Sequence, residues 1–150
     1  MGLDMYLYKK LYTKNWEHTP EESRFQITVI KSGEVLEEFS NPTYVTTEIA
    51  YWRKFNALHG YIVDTYASGE DNCQDIYLEY SDLEDILNML KEVLESKDSS
   101  NLPPREGFFF GSVEVDEYYW QRVEESIELF EDILSRKGAQ DVEYIYCASW

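Results

Sequence analysis

The sequence predicts one α+β domain over residues 1–150, with a mainly antiparallel sheet of about five to six strands and three helices packed on it. Its 150 residues are the length of an ordinary single domain. Hydrophobic residues make up 43% of the chain and aromatic residues 16%, a composition that an intrinsically disordered acidic chain lacks. Segments with strand-like alternation are interleaved with segments of helical periodicity, and turn residues separate them.

The first third of the chain reads as strands, followed by a helix. Residues 3–8 alternate in polarity and predict a strand, and residues 13–24 predict a loop with one helical turn. The β-rich runs 25–30 and 34–39 are joined by a Lys-Ser-Gly turn and predict a hairpin. Residues 47–67 predict the first helix, because helical spacing relates Ile49, Trp52, Asn56, His59, Ile62 or Val63, and Tyr66.

A strand and a second helix are expected next. Residues 75–80 alternate as a strand. Ser81, with Glu84 three residues later, has the sequence of a capping box, in which each side chain bonds a free amide at the helix start. The apolar stripe of this helix comprises Leu83, Ile86, Leu87, Leu90, Val93 and Leu94.

The last third predicts a loop, a strand, a third helix and a final strand. Residues 96–107 contain two adjacent prolines and predict a loop, whereas residues 108–115 predict a strand. Asp116 is the expected N-cap of a helix that ends at Gly138, and residues 141–150 predict the last strand. The stripe of the third helix comprises Trp120, Val123, Ile127, Phe130 and Leu134.

The chain is strongly acidic, with a formal net charge of −17. This charge argues against direct nucleic-acid binding by phosphate neutralisation and against docking on an anionic membrane. No apolar run approaches the roughly 18 residues of a membrane-spanning helix, and the N-terminus lacks the pattern of a signal peptide. Two cysteines, Cys73 and Cys147, form neither a disulfide framework nor a zinc set. We therefore expect a cytoplasmic protein with no metal and no cofactor.

The negative charge is concentrated in the second half. Residues 1–69 hold nine acidic and seven basic residues, whereas residues 70–150 hold 21 acidic and six basic residues. The acidic faces of the two later helices serve solubility in one interpretation. In the other they imitate nucleic-acid phosphates and dock on a basic host protein, with partner-binding candidates Glu124, Glu125, Glu128 and Asp132.

A polar–aromatic stretch in the predicted first helix is the first candidate site. Trp52, Asn56 and His59 would share one helical face, with Tyr51 and Arg53 beside them. Asn56 and His59 interrupt an apolar stripe, so both need hydrogen-bond partners. They either satisfy each other in the core or form the polar floor of a pocket.

Two further places carry candidate chemistry. Cys73 and His59 are weak candidates for a nucleophile and its base, because their contact in space cannot be inferred from spacing. Residues 108–112 (Phe-Phe-Phe-Gly-Ser) and 116–120 (Asp-Glu-Tyr-Tyr-Trp) could line an aromatic slot for a ring-shaped ligand, with candidates Phe110, Ser112 and Tyr118. Glycine phosphate loops and the common hydrolase signatures are missing.

The combination of motifs resembles a small family of tailed bacteriophages and prophages that commonly carries the label "phosphoglycerate kinase". The shared motifs are MGLDMYL at residues 1–7, YWRKxNxxH at 51–59, NC at 72–73, FFFGS at 108–112, DEYYW at 116–120 and SW at 149–150. Gly60-Tyr61 stands where the family usually has Lys-Trp. A kinase of that name needs two large domains around a nucleotide cleft, which 150 residues cannot form, so we do not expect this enzyme.

The resemblance implies a phage accessory protein in the cytoplasm of an infected bacterium. Small phage proteins of this kind often antagonise host antiviral defence. Our leading hypothesis is binding of a small nucleotide-like ligand, because aromatic faces combined with arginine suit a base and its phosphate. The alternatives are an acidic nucleic-acid mimic that inhibits a host nuclease or CRISPR-type effector and, third, a Cys/His hydrolase. Self-association into a homo-oligomer is also open.

Overall fold

The computed structural model describes residues 2–136 and 142–150. Strands β1 to β4 span Asp4–Tyr12, Ile27–Lys31, Glu34–Phe39 and Tyr44–Arg53, and β5 and β6 span Ile76–Leu78 and Val142–Ser149. Helices α1, α2 and α3 span Asn56–Tyr66, Tyr80–Ser96 and Glu117–Ser135. Short 3-10 turns lie at Glu21–Ser23 and Ser99–Asn101, the first within the predicted loop.

The strands form two antiparallel sheets. A four-stranded sheet has the order β4-β1-β6-β5, and within the described residues β2 and β3 pair only with each other. Met5 of β1 lies opposite Trp52 of β4 on one side and opposite Ala148 of β6 on the other. The α+β fold with a mainly antiparallel sheet and three helices is confirmed, and the six strands divide into a sheet of four and a separate hairpin.

One face of the larger sheet is buried and the other is open. Leu3, just before β1, and Met5 and Leu7 within it are buried, whereas Tyr6 and Tyr8 remain partly exposed. The buried face packs against the apolar stripes of the helices, since both belong to one core cluster. The predicted core positions that are buried on the helices are Leu83, Ile86, Leu87, Leu90, Val93, Val123, Ile127 and Phe130.

The caps of α2 and α3 follow from their first residues. Asp116 caps α3 as predicted, because its Oδ1 accepts a hydrogen bond from the Tyr119 amide at 3.1 Å. The capping box of α2 involves Glu79 and Asp82 rather than Ser81 and Glu84. The chain therefore enters α2 two residues earlier than predicted, which leaves β5 with three residues.

The prediction of a helix over residues 47–67 is wrong in its first part. Residues 44–53 form β4, and α1 begins only at Asn56. Residues 44–50 read Tyr-Val-Thr-Thr-Glu-Ile-Ala, and their aromatic and β-branched side chains suit a strand paired with β1. Trp52 therefore does not share a helical face with Asn56 and His59.

The predicted strand over residues 108–115 is a loop. Gly111 takes a φ of 87°, a left-handed conformation that breaks strand geometry. Its backbone also lies so close to Lys54 that a Cβ at Gly111 would stand 3.3 Å from the Lys54 Cβ. The predicted helix end at Gly138 lies outside the described residues.

Candidate functional site

A surface cavity of about 190 Å³ lies where α1 begins. The end of β4, the first residues of α1, the loop before α3 and the first turns of α3 surround it. The residues that matter for its chemistry are Lys54, Asn56, Ala57, Ser112, Tyr118 and Arg122. Of the sequence-predicted ligand residues, Asn56, Ser112 and Tyr118 line this one cavity.

The helix start gives the cavity a positive character. Phe55 at the N-cap position provides no side-chain cap, and the first turn of α1 has no acidic residue. Free amides at a helix start carry partial positive charge, which favours an anion there. Lys54 lies in the turn between β4 and α1 and has a φ of 55°. Its amide donates to the Leu3 carbonyl at 2.7 Å. That bond fixes the turn to the segment that precedes β1.

Two cationic side chains line the cavity beside the helix start. No carboxylate within the described residues lies within salt-bridge distance of Lys54 or Arg122. Arg122 Nη1 donates to the Arg53 carbonyl at 2.5 Å, which holds α3 against the end of β4. Glu114 and Asp116 also line the cavity, and the Asp116 carboxylate caps α3. The lining thus carries both signs of charge.

Asn56 ties the loop before α3 to the floor of the cavity. It is buried, and its Nδ2 donates to the carbonyls of Phe110 at 3.0 Å and Ser112 at 2.8 Å. Its Oδ1 accepts from the Arg105 amide at 3.0 Å. One side chain therefore satisfies three backbone groups of this loop and holds the loop in place.

Tyrosines form the aromatic side of the cavity. The Tyr118 side chain is 72% exposed at its rim. Tyr119 is buried, and its hydroxyl donates to the Leu102 carbonyl at 2.7 Å. Burial raises the pKa of Tyr119 to about 12, so its phenol stays neutral and serves as a fixed wall. Tyr118 is the aromatic side chain that a ligand can reach.

His59 lies deeper, in a buried hydrogen-bond network. Its Nδ1 is 2.7 Å from the Tyr146 hydroxyl and its Nε2 is 2.9 Å from Asp71 Oδ2. A carboxylate only accepts, so Nε2 carries the proton and Nδ1 accepts from Tyr146. Burial lowers the pKa of His59, against the opposing effect of Asp71. The ring is therefore neutral. Of the two alternatives for Asn56 and His59, mutual hydrogen bonding does not occur, because each side chain has other partners.

The partners of His59, Tyr146 and Asp71, are 87 and 12 residues away along the chain and have no spacing pattern that predicts them. Trp150 adds to the network, because its indole donates to Asp71 Oδ1 at 3.2 Å. Phe110 is buried beside it, with its ring edge-on to His59 at 5.3 Å and to Trp150 at 5.9 Å. The sequence feature that points to this network is the polar His59 within the apolar stripe of α1.

The other predicted ligand residues lie apart from the cavity. Trp52 is buried in the core, where its indole donates to Ser126 Oγ at 3.0 Å. Tyr51 and Arg53 belong to the open face of the sheet. The Tyr51 hydroxyl donates to Asp4 Oδ1 at 2.5 Å, and Arg53 Nε lies 4.0 Å from the same oxygen.

The weakly predicted nucleophile and base are not coupled. Both ring nitrogens of His59 are bonded to Asp71 and Tyr146, so neither is available to accept a proton from Cys73. Cys73 is exposed, with a φ of 61°. Over residues 2–136 and 142–150, no three His, Cys, Asp or Glu side chains are grouped so that they could hold a metal ion.

The acidic candidates lie on the outer face of α3. All four are exposed, namely Glu124, Glu125, Glu128 and Asp132. Two of them have local partners, because Glu125 accepts from Gln121 at 2.8 Å and Asp132 lies 3.2 Å from Arg136. The neighbouring helix α2 contributes Lys91, whose Nζ is 2.7 Å from Glu131 Oε1. Among the described residues, Glu124, Glu125 and Glu128 have no salt-bridge partner.

Comparisons with protein-family models, with curated proteins and with solved structures found no match to this chain. None of the helices in the described ranges has the length and apolar content needed to cross a membrane. The geometry of the cavity and the distribution of charge are thus the basis for a functional hypothesis.

Proposed function

We propose that the protein binds a small nucleotide-like ligand in the cavity at the start of α1. The observation that carries this proposal is the convergence of Asn56, Ser112 and Tyr118 with Lys54 and Arg122 around one cavity. In line with the phage resemblance, the ligand would be a nucleotide signal of the host's antiviral defence. Binding would sequester that signal in the cytoplasm of the infected cell.

Two parts of the cavity lining suit the two parts of a nucleotide, its phosphate and its base. Lys54, Arg122 and the uncapped start of α1 attract an anionic group, while Tyr118 offers a ring face for stacking. The cavity of about 190 Å³ is smaller than the ~300–1,000 Å³ of typical small-molecule pockets. A phosphate therefore fits inside it, and the base lies outside against the exposed Tyr118 ring.

The loop that closes the cavity is held in place by hydrogen bonds within the protein. The Asn56 side chain forms hydrogen bonds with three backbone groups of this loop. The Tyr119 hydroxyl donates a fourth hydrogen bond, to the Leu102 carbonyl where the loop begins. A preformed site loses less conformational freedom on binding than a mobile loop does. This rigidity supports binding by a largely prebuilt site.

Thermal unfolding with a nucleotide panel tests the proposal. At a ligand concentration of about 100 times Kd, binding stabilises the folded state by about 2.7 kcal/mol, which raises Tm by several degrees. Tyr118→Ala and Lys54→Gln should each leave the ligand-free Tm nearly unchanged and remove most of the ligand-induced increase. Mass spectrometry of the denatured protein from infected cells identifies the ligand.

Two matched variants serve as controls. Tyr77→Ala removes an exposed tyrosine from the open face of the sheet, and Arg53→Ala removes a cation that does not line the cavity. Both should keep the full ligand-induced increase in Tm. A wild-type protein whose Tm no nucleotide raises would contradict the proposal.

The exposed acidic face of α3 favours a second candidate function, inhibition of a basic host nuclease or CRISPR-type effector. Acidic side chains with few basic partners can occupy a groove that normally holds phosphates. Reversal of Glu124, Glu125, Glu128 and Asp132 to lysine should abolish this inhibition, and wild-type affinity should fall steeply with salt. Retention of full anti-defence activity by that variant would exclude this mechanism.

A further inference from the structure

A second cavity lies further along α1. Its volume of about 370 Å³ is within the ~300–1,000 Å³ of typical small-molecule pockets. It lies between α1 and the segment 101–105, and the lining residues that matter for its chemistry are Gly60, Tyr61, Asp64, Pro103, Pro104 and Arg105. Pro104 also lines the cavity at the start of α1, so the two cavities adjoin.

One face of α1 connects the two cavities. Ala57 lines the first cavity, and residues three, four and seven positions later, Gly60, Tyr61 and Asp64, line the second. This spacing places them on one side of the helix. At 1.5 Å per residue, Tyr61 and Asp64 lie about 6 Å and about 10 Å beyond Ala57 along the axis. A ligand whose phosphate occupies the first cavity can therefore place a nucleoside attached to that phosphate in the second.

Arg105 is positioned in the second cavity by contacts at both its ends. Its amide donates to Asn56 Oδ1 at 3.0 Å, and its guanidinium Nη2 pairs with Asp64 Oδ1. The side chain runs across α1 at Gly60, where a Cβ would stand 3.1 Å from Arg105 Nε. Gly60 thus leaves the room that Arg105 needs to reach Asp64.

The pair of Asp64 and Arg105 offers acceptors and donors side by side. A carboxylate has about four lone-pair sites and a guanidinium has five N–H donors, so their mutual bond leaves both able to bond a ligand. Guanine presents N–H donors on N1 and N2 beside the acceptor O6, whereas adenine presents an unprotonated N1 that a carboxylate repels. Tyr61 and the two prolines supply apolar walls for a flat base. The chemistry of this cavity therefore suits guanine.

We infer that the ligand is a dinucleotide, two nucleosides joined through one phosphate, and that the second cavity holds a guanine nucleoside. The inference rests on the proposed function, because it keeps the phosphate in the first cavity and the first base against Tyr118. It adds a second nucleoside and the identity of its base, both read from the adjoining cavity.

Binding of three ligands to the full chain, measured by isothermal titration calorimetry, tests the inference. GpG should bind about tenfold more tightly than ApA, because the Asp64–Arg105 pair bonds the edge of guanine and not that of adenine. GpG should also bind about tenfold more tightly than the methyl phosphodiester of GMP, which has the same charge but lacks the second nucleoside.

Asp64→Asn tests the recognition of the base. It removes the carboxylate but keeps the size of a side chain that is 59% exposed, so the ligand-free Tm should change little. The affinity for GpG should fall about tenfold, to that for ApA, while the Kd of ApA stays nearly unchanged. As the matched control, Asp85→Asn changes an exposed carboxylate of α2 outside both cavities and should keep the preference for GpG.

The outcomes separate this inference from the proposed function. Equal Kd values for GpG and ApA in the wild type, a preference for GpG that survives Asp64→Asn, or GpG binding no tighter than the methyl phosphodiester would each overturn the inference and leave the proposed function standing. Failure of all three ligands to bind would overturn the inference as well. The proposed function would fall with it only if no nucleotide of the panel raised the Tm of the wild type.

Discussion

At the scale of single residues, His59 makes stability depend on pH. Burial lowers its pKa below the ordinary 6.5, so the folded state holds the imidazole neutral between Tyr146 and Asp71. The unfolded chain binds a proton more readily, and the free energy of unfolding must therefore fall as pH drops below about 6.5. In model peptides, Asp and Glu side chains have pKa values of about 3.9 and 4.3, well below this range.

Replacement of His59 isolates this effect. At pH 7.5, His59→Gln should destabilise the protein by about 1–3 kcal/mol, because Tyr146 and Asp71 lose a buried partner. The difference from wild type should shrink at pH 5.5, where wild type has lost part of this stabilisation. Urea unfolding at both pH values measures it. As a control, His18→Gln changes an exposed histidine and should have the wild-type free energy of unfolding at both pH values. If His59→Gln lowered the free energy of unfolding by the same amount at both pH values, the pH effect would be refuted.

Asn56 is the second residue whose removal should be costly. Asn56→Ala leaves the carbonyls of Phe110 and Ser112 and the amide of Arg105 without their side-chain partner. We expect a loss of about 2–3 kcal/mol in the free energy of unfolding, at the upper end for orphaned polar groups. Asn88→Ala removes an exposed asparagine from α2 and should stay within about 0.5 kcal/mol. Similar losses in the two variants would show that the loop does not depend on Asn56.

The sequence identified the polar residues of the site better than their partners. Asn56 and His59 interrupt an apolar segment, and that pattern alone shows that each needs a hydrogen-bond partner. The partners lie 12 to 87 residues away along the chain for His59 and 49 to 56 residues away for Asn56. Spacing cannot reveal such contacts, because the fold creates them.

At the scale of elements, β4 shows how short-range patterns mislead. Trp52, Asn56 and His59 have helical spacing, yet Trp52 belongs to a strand. Residues 44–53 form a strand because they pair with β1. This pairing places Ala50 and Trp52 on the helix-covered face of the sheet, where both are buried. The helices α2 and α3 were predictable, because their stripes continue over several turns and Asp116 supplies a local cap.

The packing of α3 on β4 gives a prediction at this scale. The Phe130 ring stacks on the Trp52 ring, with 5.8 Å between centroids, and Phe130 is fully buried. Phe130→Ala should lower the free energy of unfolding by about 3–5 kcal/mol through lost burial and a residual cavity. The neighbouring exposed change Glu128→Ala should stay within about 0.5 kcal/mol. Denaturant unfolding compares them, and a near-neutral Phe130→Ala would mean that this contact does not anchor α3.

At the scale of the whole molecule, the charge is divided between two surfaces. The acidic residues of α2 and α3 lie on the outer side of the helical layer, whereas the open face of the sheet belongs mainly to residues 1–69, which carry a net charge of −2. The cavity at the start of α1 is lined by the cations Lys54 and Arg122 and by the acidic residues Glu114 and Asp116. The proposed anionic ligand would therefore be attracted only by these two cations and the helix start, against the repulsion of the molecule as a whole.

The uncompensated charge should also limit stability at low ionic strength. Screening lengths fall from about 30 Å at 0.01 M salt to about 8 Å at 0.15 M, so NaCl should raise the wild-type Tm by weakening self-repulsion. Reversal of Glu124, Glu125, Glu128 and Asp132 to lysine changes the formal net charge from −17 to −9, since each reversal adds two. That variant should fold, because all four side chains are exposed, and its Tm should rise less with salt.

A neutral variant separates charge from the chemistry of lysine. Glu124→Gln, Glu125→Gln, Glu128→Gln and Asp132→Asn together change the net charge to −13, so the salt response of Tm should lie between those of wild type and the reversed variant. Thermal unfolding in about 0.01 M and 0.15 M NaCl measures all three proteins. Equal responses would show that this face of α3 contributes no destabilising repulsion. If the neutral variant folds but no longer inhibits the proposed host protein, the acidic face of α3 is the surface that binds that protein.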